Sequence, residues 1–209
     1  DHPALAGYFI QDEPGYQAFK FLGDISQELQ RLAPAHLPYI NLFPTYAIPA
    51  QMGTPSYEEY LGRFLALTKP AVLSYDHYCL QARDVDGVEY FENLGLIRDY
   101  AGRAGIPPWN IIQAMSYDRA MRRPNDAEMR WQVYTSLAYG MKGLLYYVYW
   151  SYNEVPEDVG IVDHLGRPAP LYPIIRQLNA EIKALGPTLL GLTSTGVYHT
   201  GDVPPGSTR

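Results

Sequence analysis

The chain has one cysteine, Cys79, in 209 residues, so an internal disulfide and a thiolate metal cluster are both excluded. It has no run of about 18 apolar residues, the length a membrane-spanning helix needs. Its most apolar stretch, Gly143 to Trp150, is only strand-length. Charge runs are missing too. The 16 basic and 22 acidic residues give a net charge of -6, spread without a basic patch or an acidic tail, so neither nucleic acid nor a membrane is expected as a partner. No signal peptide precedes the first strand, and the chain reads as cut at that point. A secreted or periplasmic setting is preferred to the cytoplasm.

What is present is an ordinary globular composition, 47% hydrophobic and 18% charged, enough for a sizeable core. Aromatic usage is skewed, since 19 Tyr and 3 Trp outnumber 6 Phe. Such rings bury a face while keeping a hydrogen-bonding edge, which suits sugar-binding clefts as well as amphipathic faces.

Short apolar runs alternate with segments of helical period. The runs are Gly7-Tyr-Phe-Ile-Gln, Leu37-Pro-Tyr-Ile-Asn-Leu-Phe, Ala71-Val-Leu-Ser-Tyr, Asn110-Ile-Ile-Gln-Ala-Met and Gly143-Leu-Leu-Tyr-Tyr-Val-Tyr-Trp. They are nearly continuous, as in parallel strands covered on both faces. Between them Phe19, Leu22, Ile25, Leu29 and Leu32 recur at helical spacing, and so do Tyr57, Leu61, Phe64 and Leu67, and Ile175, Leu178, Ile182 and Leu185. Ser56 with Glu59 reads as a capping box, Asn125 or Asp126 as the cap of a helix running to Met141, and Gly105 and Gly186 as residues after helix ends. The fold class is therefore α/β, of the (β/α)8 TIM-barrel type. Five βα units account for residues 1–187 and leave no room for three more, so the barrel is incomplete. Residues 188–209 turn Thr/Gly/Val-rich and are expected to begin a β-rich domain or tail.

In such a barrel the site lies at the C-terminal ends of the strands. Those ends carry Gln11-Asp12-Glu13, Asn41, Ser74-Tyr75-Asp76-His77-Tyr78, Gln113 with Ser116-Tyr117-Asp118, and Trp150 with Tyr152-Asn153-Glu154. Glu13 is the leading catalytic candidate, because a carboxyl against an apolar barrel body has its pKa raised toward neutrality and can donate a proton there. Pro14 biases Glu13 to an extended backbone and delays the helix. The bland alternative makes Asp12 or Glu13 a helix cap.

Asp76 is the second catalytic candidate. Strand ends two strands apart start roughly 10 Å from each other, which suits the wider carboxyl separation of inverting glycosidases slightly better than the narrower one of retaining enzymes. Asp76 alternatively anchors neighbouring loops. Asp12, Asn41, Tyr75, His77, Gln113, Tyr117, Asp118 and Trp150 are candidates for substrate binding, Trp150 as a stacking platform, with Trp109 and Trp131 as packing residues. No metal is expected, because Asp76 and His77 are adjacent on a strand and point to opposite faces, and no other His or Cys stands at ligand spacing. No cofactor is implied. A serine nucleophile lacks its Gly-x-Ser-x-Gly elbow.

Gly7-Tyr-Phe-Ile-Gln-Asp-Glu-Pro, Arg130-Trp131-Gln132 followed by Ala138-Tyr139-Gly140, and Tyr147-Val-Tyr-Trp150 resemble clan A glycoside hydrolases. The stretch Gly160-Ile-Val-Asp-His-Leu-Gly-Arg-Pro-Ala-Pro-Leu-Tyr172 is similar to the end of the barrel in the family 42 β-galactosidase type. The resemblance implies that the five visible strands are strands four to eight and that Glu13 matches the clan's acid/base glutamate, although Asp12 stands where the clan usually has Asn. It also implies a nucleophilic glutamate ending the run Asn110 to Met115, where this sequence offers Gln113 and, farther on, Asp118. Three explanations follow: Asp76 or Asp118 substitutes, a second copy or the missing N-terminal barrel half supplies the carboxylate, or the protein binds carbohydrate without cutting it.

Overall fold

The computed structural model describes residues 2–82, 87, 89–117, 120–151, 159–204 and 207. The strands are β1 (Gly7–Asp12), β2 (Leu37–Leu42), β3 (Leu73–Asp76), β4 (Pro108–Gln113) and β5 (Gly143–Tyr147). The helices are α1 (Phe19–Leu32), the single turn α2 (Pro49–Met52), α3 (Tyr57–Thr68), α4 (Tyr90–Ala104), α5 (Asp126–Ala138) and α6 (Leu171–Leu190). Strand and helix alternate in an α/β fold, and all five apolar runs became strands. The chain forms two compact units, one of Asp1–Asp76 with Leu96–Trp109 and one of His77–Gly95 with Asn110–Arg209.

In the first unit β1, β2 and β3 lie side by side and parallel. The Leu73 amide donates to the Pro107 carbonyl at 3.0 Å, placing the entry to β4 beside β3. Helices α1 and α3 close over one face. Phe19 packs its ring 5.3 Å from Phe64 and 5.1 Å from Tyr60, above the buried Ile40, Leu42 and Leu73. The approach of the two helices needs a glycine, because a Cβ on Gly23 would stand 2.3 Å from the Leu67 carbonyl oxygen.

In the second unit β4 and β5 are neighbours, with the Ala114 amide donating to the Tyr147 carbonyl at 2.7 Å. Its core joins Ile112, Met129, Val133, Ile161, Leu171, Ile175 and Leu178. Trp131 stacks on Tyr90 at 4.8 Å, the packing role expected of it, and in the first unit Trp109 lies 5.9 Å from Tyr39.

Several helix ends follow local chemistry. Asn125 and Glu128 form a reciprocal capping box, the Ser56 hydroxyl accepts from the Glu59 amide, and Gly105 takes the left-handed conformation (φ 69°) after α4. Gly186, expected after a helix end, lies inside α6, which continues through Pro187 to Leu190. Tertiary partners override the Gly-Pro stop signal, because the Lys142 ammonium donates to the Leu189 carbonyl at 2.5 Å. The β propensity after residue 187 produces no strand among the described residues.

Candidate functional site

The polar cluster of the first unit is built by two-residue periodicity and one irregularity. Tyr39 and Asn41 share a face of β2, and the register Asn41↔Ser74 puts Ser74 and Asp76 of β3 on that same face. On β1 the register runs Phe9↔Tyr39, then Gln11↔Ile40 and Asp12↔Asn41. The extra residue, Ile10, is a β-bulge. Without it Asp12 would align with Leu42 and point to the helix-covered face; with it Asp12 joins Asn41.

Glu13 follows directly. Its amide donates to the Asn41 carbonyl at 2.9 Å, and its φ of 44° is a left-handed conformation that costs a non-glycine residue on the order of 1–2 kcal/mol. That value replaces the extended backbone expected before Pro14, so the prolyl bias is overridden. Two contacts hold the turn: the ladder bond from Glu13, and the buried Tyr60 hydroxyl of α3, which donates to the Pro14 carbonyl at 2.8 Å.

The hydrogen bonds form a directed chain. Asn41 Nδ2 donates to Asp76 Oδ1 at 2.6 Å and to Asp12 Oδ1 at 3.1 Å, and Ser74 Oγ donates to Asn41 Oδ1 at 3.1 Å. The single hydroxyl hydrogen of Ser74 is then used, so Tyr39, at 2.7 Å from Ser74 Oγ, is the donor of that pair. Asp76 is 4% exposed, Glu13 is half-buried and Asp12 is exposed.

Burial, followed by the charges of Glu13 and Asp12 and opposed by the Asn41 hydrogen bond, pushes the Asp76 carboxyl up to about 8. Burial, followed by the Asp12 charge, pushes Glu13 up to about 7. Both carboxyls therefore hold their protons to a pH well above the ordinary carboxylate range.

Tyr75 lies on the opposite face of β3, fully buried and in register with Leu42, among core residues. The other candidates stand in the second unit. His77 is buried, with Nδ1 2.9 Å from Asn93 Oδ1 and its ring edge-on to Tyr90 at 5.5 Å. Burial pulls its pKa down to about 4, so it is neutral at pH 7. Gln113 is engaged with backbone: its Oε1 accepts from the Leu80 amide, and its Nε2 faces the carbonyls of Leu80, Met115 and Arg122 at 2.8–3.3 Å. Gln113 thus ties together the loops after β4 and around Leu80. Tyr117 (42%) and Trp150 (50%) are exposed, and the Trp150 indole donates to the His164 carbonyl at 3.4 Å. Asp118 and the segment Tyr152-Asn153-Glu154 lie outside the described residues.

The structure thus brings Asp12, Glu13, Asn41 and Asp76 together. It adds Tyr39, which was not among the candidates, and Ser74, which stood in the strand-end cluster without being assigned to substrate; the Tyr39-x-Asn41 and Ser74-x-Asp76 spacing was the signal that could have found them. Among the described residues no group of three or more His, Cys, Asp or Glu side chains could hold a metal ion. No described helix is long and apolar enough to cross a membrane.

The sequence matches no family model and no curated protein. Among solved structures, the chain is similar to a β-galactosidase from the psychrophilic Marinomonas ef1 (TM-score 0.59, 14% identity, 86% of this chain and 29% of that one). It is also similar to a Bacteroides thetaiotaomicron protein assigned as an α-L-fucosidase (0.56, 8%, 88% and 57%), and to a β-galactosidase from the Antarctic haloarchaeon Halorubrum lacusprofundi (0.55, 14%, 87% and 27%). The chain spans between about a quarter and somewhat over half of their lengths. At such identities the likeness is one of fold, and the fold of this chain is glycoside hydrolase-like.

Proposed function

We propose that this chain contributes the acid half of a glycoside hydrolase site, with Glu13 as the general acid. The observation that carries this is a half-buried carboxyl at a strand end whose pKa is raised to about 7. Such a group is protonated often enough at neutral pH to donate to a glycosidic oxygen and basic enough to take a proton back. Asp76 is the second carboxyl of the cluster. Its 4% exposure suits a substrate anchor or tuning group better than a nucleophile, and the exposed Asp12 is the negative charge closer to solvent. Trp150 and Tyr117 are exposed rings able to stack on a pyranose face. β-Galactosides of the family 42 type are the first substrate class to try, since two of the similar structures are β-galactosidases.

Kinetics on aryl β-D-galactosides, β-D-glucosides and α-L-fucosides test the reading. Turnover should fall as pH rises through about 7, where Glu13 loses its proton, and Glu13→Gln should lower kcat by roughly 10²–10⁴-fold. Wild-type rates in the Gln variant would refute the assignment. One observation favours a second reading, a carbohydrate-binding protein that does not cut: Asp76, the second carboxyl candidate, is buried and held protonated up to about 8, so it does not serve Glu13 as an ionised nucleophile. Saturable sugar binding with no turnover on the panel would select it.

A further inference from the structure

Three acidic residues of the first unit meet one side chain and its own backbone. The Asn41 carbonyl accepts from the Glu13 amide, and the Asn41 side chain donates to both Asp12 and Asp76. Asn41 and Ser74 are 1% and 0% exposed, so their side chains depend on protein partners for their hydrogen bonds, here each other, Tyr39, Asp12 and Asp76.

The Asn41 side-chain amide turns its nitrogen to Asp12 and Asp76 and its oxygen to Ser74. With the amide so oriented, the chain Tyr39→Ser74→Asn41 delivers both amide hydrogens to the acids, and successive donors in such a chain reinforce one another.

We propose that Asn41 is the positioning residue of this site, held by Ser74 and Tyr39 so that its amide nitrogen keeps Asp12 and Asp76 in place while its carbonyl holds the Glu13 backbone. Turnover enters only through the reading of Glu13 as an acid; the positioning itself concerns the three carboxyl groups. The titratable groups facing the cluster are Asp12 and Glu13 at the end of β1, Tyr39 on β2, Asp76 on β3 and Tyr60 on α3.

Two consequences have opposite signs. Removing the Asn41 amide takes from Asp76 the hydrogen bond that opposes its upward shift, so Asp76 titrates higher. It also releases Asp12, whose charge helps to raise Glu13, so Glu13 titrates lower. A purely structural residue gives another pattern, because loosening the fold lets water in and brings both carboxyls down together.

The experiment is a pH titration of ¹³C-labelled Asp and Glu carboxyls by NMR on the full chain. It compares wild type with Asn41→Ala, Ser74→Ala and Ser74→Thr, each checked for fold by circular dichroism. Expected in Asn41→Ala are an Asp76 midpoint higher and a Glu13 midpoint lower, each by roughly 0.5 in pH or more, the equivalent of one net hydrogen bond. Ser74→Ala should move both the same way by less, and Ser74→Thr, which keeps the hydroxyl, should restore the wild-type midpoints. Unchanged midpoints, or midpoints falling together, overturn the proposal. If Asn41→Ala does not fold, the two Ser74 variants decide by the same criteria. Opposed shifts in a protein that cleaves no glycoside would refute the proposed activity and leave Asn41 as assigned.

Discussion

Replacing Asp76 by asparagine should make the protein more stable, by an amount that grows with pH. An ordinary aspartate ionises near 3.8, whereas in the folded chain burial and the neighbouring Glu13 and Asp12 charges hold Asp76 protonated up to about 8. Between those two values the native state binds more protons than the unfolded chain, so stability falls as pH rises through that window. At 1.36 kcal/mol for each pH step, the loss between pH 5 and pH 8 is about 3–4 kcal/mol.

The Asp76→Asn variant has no such group to ionise, and its amide can copy the contacts of the protonated acid. The oxygen of the introduced amide would accept from Asn41 Nδ2 as Asp76 Oδ1 does now at 2.6 Å. Urea unfolding followed by circular dichroism at pH 5, 6, 7 and 8 gives both stabilities. The difference between Asp76→Asn and wild type should widen steadily toward alkaline pH. Parallel curves, or a wild type that gains stability over this range relative to the variant, would refute the claim that Asp76 is held neutral in a dry site.

Two further outcomes follow from the same geometry. Tyr60→Phe removes the hydroxyl that donates to the Pro14 carbonyl and should cost about 1–3 kcal/mol in urea unfolding. It should also lower kcat on whichever glycoside is cleaved, because the Glu13 turn loosens; a loss of stability with unaltered kcat would separate the turn from the acid. Asn125→Ala removes the α5 cap and should cost about 1 kcal/mol without changing the carboxyl titrations, serving as the control for general destabilisation.

Much of the first unit was legible in the sequence, and the reasons are local. Runs such as Leu37–Leu42 announce themselves because a strand covered on both faces needs apolar residues throughout, and polar residues at the ends of those runs marked Asp12, Glu13, Asn41 and Asp76. The boundaries were softer. β3 starts at Leu73 and not Ala71, after Lys69 takes a left-handed conformation, and β5 ends at Tyr147, three residues early.

The bulge at Ile10 had no signature, since nothing in Gly7-Tyr-Phe-Ile-Gln-Asp distinguishes a bulged strand from a regular one. The register that the bulge sets depends on where β2 lies. Gln113 illustrates a different limit. A glutamine at a strand end reads the same whether it faces a ligand or a loop, and only the carbonyls of Leu80, Met115 and Arg122 around it reveal the second.

The left-handed backbone of Glu13 bears on how this protein responds to selection. Glycine adopts that conformation without penalty, so replacing Glu13 by glycine relaxes the turn and at the same time removes a partly buried acid from an acidic cluster. A library enriched for heat tolerance would therefore discard Glu13 early, and a designer averaging over robust variants would call the change an improvement. Glu13→Gly is thus the substitution that separates what the turn asks of position 13 from what a carboxyl adds there.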